Sequence, residues 1–167
     1  MLIRNEEEKD FAAVHVVNAS AFESSAEACL VDILRREVFP IVSLVAVEDR
    51  AVVGHIMFSP VLLTHHSGLK IMGLGPVALL PANQGKGIGS ALVRTGLERC
   101  KDLGFGAVVV LGHPLYYSRF GFLPSSQFGI DCEYDVTEES FMAIELQPGY
   151  LRDSSGTIQY HDAFKNV

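Results

Sequence analysis

Residues 70–111 constrain this chain more than any other stretch. Residues 70–80 read as a largely apolar strand, and Pro81 ends the run. Residues 81–86 are polar and carry a glycine. From Gly87 the period changes, and Ile88, Leu92 and Leu97 share one helical face. Gly104 stands where a helix C′ glycine belongs. Residues 107–111 form a short apolar run without polar alternation, the pattern of a buried parallel strand. Strand, loop, helix and strand in this order make a βαβ crossover.

The flanks read as follows. Residues 2–4 suit an edge strand. Asn5 and Glu8 have capping-box spacing, and Phe11, Val14, Ala21 and Phe22 give a helical stripe to about residue 22. Ser24 and Glu27 repeat that spacing before Leu30, Ile33 and Leu34, a second helix ending near Glu37. Residues 41–47 and 52–63 are strands joined by a turn at Glu48, Asp49 and Arg50. His65 to Gly68 is a second turn, so three consecutive antiparallel strands are expected. Pro114 opens a short helix that breaks at Gly121, and 141–146 is another strand. After Pro148 the chain reads as loop. The expected fold class is α/β (α+β), with residues 1–167 as one domain around a mixed, mostly antiparallel sheet.

The glycine-rich loop carries chemistry. Gln84, Gly85, Lys86, Gly87, Ile88, Gly89 and Ser90 lie between a strand and a helix. A helix start offers unpaired N–H groups and the positive end of a dipole. Glycines let an anion approach those groups, so the segment suits a pyrophosphate. A Walker A loop needs Ser or Thr after its lysine, but Gly87 follows Lys86. Gly73, Gly75 and Ala78 imitate a dinucleotide fingerprint by letter, yet a strand follows them instead of a helix.

The formal net charge of −7 argues against a dedicated nucleic-acid binder and weakly favours cationic partners. Cys29, Cys100 and Cys132 are odd in number and widely spaced, so no disulfide framework is expected. Cys29 reads as buried and inert. No apolar run approaches membrane-helix length, and no signal-peptide pattern opens the chain, so a soluble cytoplasmic protein is expected. His65 and His66 lack a third ligand at sensible spacing, so no metal is expected.

The order Gln84-x-x-Gly87-x-Gly89, a strand, then Tyr117-x-x-x-Gly121-Phe122 resembles the GNAT superfamily of N-acetyltransferases. The resemblance runs from about Ile41 to Phe122. Residues 53–61, 116–122 and 149–160 look like a small bacterial subgroup of mostly unassigned substrate. It implies a GNAT fold with a splayed parallel strand pair and helices on both faces. It implies acetyl-CoA as co-substrate and an amine, small molecule or protein, as acceptor. Dimers are frequent in the family. Backbone groups of Val77, Ala78 and Leu79 would pair with the pantetheine arm, like an added strand. N–H groups of residues 85–90 would hold the pyrophosphate, and His113 would touch the cofactor. Gly75-Pro76 would mark a bulge where the strands part.

Tyr117 would be the general acid that protonates the departing CoA thiolate, with Tyr116 the neighbouring alternative. Ordinary values of about 10 for the phenol and about 8.5 for a thiol make that transfer only slightly uphill. An N–H on the splayed strand would steady the oxyanion. The base stays open. Many relatives carry a Glu on the strand before the loop, but residues 74–80 hold no acid. A water chain, Glu23, Glu27 and His55 are the candidates. Glu27 reads first as a capping-box acid, and His55 as a structural strand histidine. Glu6, Glu7 and Glu8 read as a solvated helix start. The alternative to an enzyme is a non-catalytic acyl-CoA sensor on the same fold.

Overall fold

A computed structural model describes all 167 residues, Met1–Val167. The backbone divides into two compact, interleaved units. The first holds Met1–Ser59, Gly75–Arg99 and Asp162–Val167; the second holds Pro60–Leu74 and Cys100–His161. Nine strands run in chain order: β1 (Leu2–Asn5), β2 (Val42–Glu48), β3 (Ala51–Leu63), β4 (Ile71–Leu79), β5 (Ala107–Leu111), β6 (Leu123–Pro124), β7 (Ile130–Cys132), β8 (Phe141–Glu145) and β9 (Gly156–Gln159). The main hydrogen-bonded order is β1-β2-β3-β4-β5-β8-β6, with β9 joined to β3 and β7 to β9. The helices are α1 (Phe11–Ala21), α2 (Ala26–Glu37), α3 (Ile88–Asp102) and α4 (Pro114–Tyr117). The fold is thus mixed α/β and mostly antiparallel, as its pattern indicates.

In the first unit, β1 and β3 flank β2, both antiparallel to it. Asp49 and Arg50 turn the β2–β3 hairpin at φ 49° and 68°, which matches the twist that short hairpins favour. Met57 of β3 and Val45 of β2 pack with Val14 of α1 and Leu30, Val31 and Leu34 of α2.

The start of α1 differs from expectation. Arg4 grips the Asp10 carboxylate at 2.6 and 2.9 Å, and Asp10 Oδ2 accepts the Glu7 N–H at 2.8 Å. The cap therefore sits two residues beyond the expected Asn5–Glu8 pair. The buried face of α1 is then Val14, Val17 and Asn18, and Phe11 is partly exposed beneath the Arg35 guanidinium at 4.0 Å. On α2, Ala28, Leu30, Val31 and Leu34 point inward. Cys29 falls on the opposite arc and is exposed, not buried.

In the second unit, β5 lies parallel to β4 from Ile71↔Ala107 to Leu74↔Val110. β8 pairs antiparallel with both β5 and β6. β9 pairs parallel with β7 and antiparallel with the end of β3. β9 lies in the tail, where loop was expected, and β7 lies in a stretch to which the sequence pattern assigns no element. Each is four residues or fewer, so partner hydrogen bonds rather than an internal period define it. Val61, Ile71, Val109, Phe141, Leu151 and Ile158 anchor the core of this unit.

Candidate active site

The glycine-rich loop lies in the first unit. A single 3-10 turn, Pro81–Asn83, links β4 to it, and the Asn83 amide donates to Glu48 Oε2 at 3.3 Å. Ala91 N–H donates to the Gly87 carbonyl at 3.1 Å, so Gly87 caps α3. That geometry leaves the N–H groups of Ile88 and Gly89 without an intrahelical acceptor. Gly85 and Gly87 have φ of 76° and 83°, conformations that L side chains rarely adopt. A Cβ at either position would meet nothing within 4 Å. Gln84, Gly85, Lys86 and Gly87 are exposed, and Ile88 turns inward to root the helix. The loop is therefore open, with no side chain of its own closing it. A diphosphate fits this donor set.

Before the loop, Val77 and Leu79 are half-buried and Ala78 is buried. Leu79 packs where a Cβ on Gly54 would lie only 2.6 Å from its Cδ2. The β4 register with β5 ends at Leu74, one residue before Gly75 at φ 143°. β4 itself continues to Leu79.

Tyr117 lies in the second unit. His113 caps α4: its Nδ1 accepts the Leu115 N–H at 3.2 Å, and its carbonyl accepts from both Tyr116 and Tyr117. The ring of Tyr117 lies edge-on to Tyr116 and Phe122, at 5.0 and 5.7 Å between centroids. It lies so close to Gly112 that a Cβ there would come within 2.2 Å of Cε2. Gly121, at φ 100°, ends this turn and brings Phe122 back into the interior. Burial, helped by Tyr116, pushes the Tyr117 phenol up to about 12.

His55 is fully buried with both ring nitrogens engaged. Asn18 Nδ2 donates to Nδ1 at 3.1 Å, which puts the ring proton on Nε2. Nε2 then donates to Ser43 Oγ at 2.8 Å, and Ser43 donates to Glu6 Oε1 at 3.0 Å. Arg35 clamps Glu6 at 3.0 and 2.6 Å, and reaches Asp32, which meets His15 Nδ1 at 2.9 Å. Burial, then the Arg35 charge, lowers His55 to about 3. A ring this poorly basic and this enclosed is structural. Glu6, expected in solvent, has a side chain only 4% exposed and holds this network together. The partners are distant in sequence, so no local pattern marks it.

The remaining carboxylates divide. Glu23 is exposed in the α1–α2 loop. Glu27 does not close the expected capping box: the Ala26 N–H donates to Ser24 Oγ at 3.2 Å, while Glu27 Oε2 is buried with no hydrogen-bond partner.

The sequence matches the acetyltransferase (GNAT) family model over residues 6–122. It is 36% identical to the uncharacterized N-acetyltransferase YhbS of Escherichia coli K12, over 98% of both chains. It is also 36% identical to the uncharacterized N-acetyltransferase YjhQ of the same strain, over 80% of this chain and 76% of that one. The crystal structure of Escherichia coli YhbS in complex with CoA superposes with a TM-score of 0.92 at 35% identity, covering 98% of this chain and 91% of that one. A Brucella melitensis GNAT acetyltransferase in complex with acetyl-CoA gives 0.79 at 36% identity, covering 98% and 97%. These likenesses show that this chain belongs to the GNAT family of acetyltransferases.

Proposed function

We propose that the protein transfers an acetyl group from acetyl-CoA to a primary amine by direct attack of the amine on the thioester. The open loop at the start of α3 carries this reading: left-handed Gly85 and Gly87 with space around them, and N–H donors beyond. The two related structures solved with CoA and acetyl-CoA support it. Residues 85–90 hold the pyrophosphate, with Gln84 and Lys86 adding a donor and a charge. Backbone groups of Val77, Ala78 and Leu79 pair with the pantetheine. His113 spends Nδ1 on its cap and offers Nε2 to the same arm.

The amine must reach the carbonyl carbon with a lone pair, and the sulfur must leave with a proton. Tyr117 supplies that proton. Against a thiol near 8.5, a phenol at about 12 makes full transfer uphill by about 5 kcal/mol. Donation therefore accompanies C–S cleavage, while charge is building on sulfur. Burial serves this role in another way: the phenol stays fully protonated across the neutral range.

Calorimetric titration with acetyl-CoA, followed by thiol release across an amine panel, tests the proposal. Binding with amine-dependent release supports it. Absence of binding sinks it. Binding without release from any amine would instead favour an acyl-CoA sensor.

A further inference from the structure

The second unit holds a cavity of about 450 Å³ that acetyl transfer as described above leaves unused. Buried Ser125, Ile130 and Phe141 lie deepest in its lining, and the exposed carboxylates of Asp131 and Glu138 stand at its rim. A space of this size suits a small molecule.

Two features of the lining point to a ligand. Ser125 is only 3% exposed, yet its hydroxyl makes no hydrogen bond within the chain. Its backbone is fixed, because its carbonyl accepts the Gly129 N–H. Buried polar groups in folded proteins are overwhelmingly paired, so this hydroxyl lacks a partner that the cavity has room to supply. The second feature is charge. No lysine, arginine or histidine lines the cavity, and neither Asp131 nor Glu138 is in an ion pair. The rim therefore repels anions and attracts cations. Asp131, Cys132 and Glu138 do not converge as a metal-binding set. The other walls are apolar or aromatic, among them Tyr134, whose ring stacks on Tyr160 at 5.8 Å between centroids. Such walls favour an organic cation over a hydrated ion.

One wall leads to Tyr117. Thr137, Glu138 and Phe141 line the cavity. Ser140 Oγ staples that turn, donating to the Thr137 carbonyl at 2.9 Å and meeting Thr137 Oγ1 at 2.7 Å. The Ser140 carbonyl accepts the Gly112 N–H at 2.9 Å, and Phe141 pairs with Leu111. Gly112 is the residue against which the Tyr117 ring rests. Contiguous contacts of this kind can carry a displacement from one end to the other.

We propose that this cavity binds a small organic cation bearing one hydrogen-bonding group, as an effector. Its charge meets Asp131 and Glu138, its body lies against Ile130 and Phe141, and its polar group pairs with the Ser125 hydroxyl. Occupancy reaches Tyr117 through Ser140 and Gly112. The binding is independent of the chemistry at Tyr117; its effect on turnover rests on the acetyl-transfer reading above.

Choline chloride is the probe. It has a permanent charge and a hydroxyl, and its quaternary nitrogen has no lone pair to acetylate. The Ile130 methyl and Gly112 amide signals of isotope-labelled protein, read without acetyl-CoA, report the two steps apart from any transferase activity. Both should shift saturably with choline, and added salt should weaken the binding. The neutral isostere, with carbon in place of nitrogen, should bind about tenfold more weakly. Asp131→Asn and Glu138→Gln change exposed side chains, so the unfolding midpoint should hold while choline affinity falls about threefold in each. Ser125→Ala should lose about fivefold. In thiol-release assays, saturating choline should change kcat, and excess amine should not reverse the effect. An Ile130 signal indifferent to choline, or equal binding of the neutral isostere, overturns the site. An unmoved Gly112 amide overturns the link to Tyr117. Reversal by excess amine would put choline in the acceptor's place and overturn the effector role.

Discussion

His55 shows how completely surroundings decide a residue's role. Its imidazole would suit acid–base work in water, but burial and the Arg35 charge keep it neutral to about pH 3. The unfolded ring titrates near 6.5. Native stability is therefore undiminished above 6.5 and declines as pH falls through the window from 6.5 to 3, where only the unfolded chain takes up the proton. Between pH 7 and 5 the loss from this ring should be about 2 kcal/mol. Denaturant unfolding across that range would show it, and His55→Gln should flatten the slope. Tyr117 makes a second prediction. Tyr117→Phe should lower kcat roughly a hundredfold with acetyl-CoA affinity nearly unchanged. Gly112→Ala should do much the same, because its Cβ would collide with the ring at 2.2 Å. Steady-state kinetics beside calorimetry separates both from a binding defect. Tyr117 is singled out as a candidate by sequence because Gly121 and Phe122 follow at a fixed spacing. Asn18, Glu6 and the orphaned Glu27 oxygen were not, because their meaning depends on residues far along the chain.

Elements were legible in proportion to their length and period. The β2–β3 hairpin, the βαβ unit and the Gly104 stop follow from local pattern. The 3-10 turn before α1 does not, because Arg4 draws Asp10 into the cap from a separate strand. Helix α3 supplies a packing prediction. A Cβ at Gly96 would lie 2.1 Å from the buried Phe58 ring, so Gly96→Ala should cost about 1–3 kcal/mol, read from the urea midpoint. The loop ahead of α3 behaves differently. Gly87→Ala has room for its methyl, yet must hold a left-handed φ, at about 1–2 kcal/mol. It should also weaken CoA binding, since the methyl stands where an anion would approach the N–H groups.

At the scale of the whole molecule, ligand and fold are linked by mass action. Acetyl-CoA at about a hundred times its Kd should add about 2.7 kcal/mol to the unfolding free energy, and thermal melts at graded concentrations would follow that increment. The excess of acid over base gives the surface a net −7, so cationic acceptors should be drawn in more weakly as salt rises.

The three thiols differ sharply in access. Cys100 is buried, with its thiol pushed up to about 12, Cys132 is half-buried, and Cys29 is exposed on α2. A disulfide reagent used to colour newly freed CoA will also react with the enzyme, and first at Cys29. That reaction would attach a bulky group to the exposed arc of α2, away from its buried face. A Cys29→Ser background is thus the sound starting point for kinetics, while the native residue offers one addressable surface point for a fluorophore on α2.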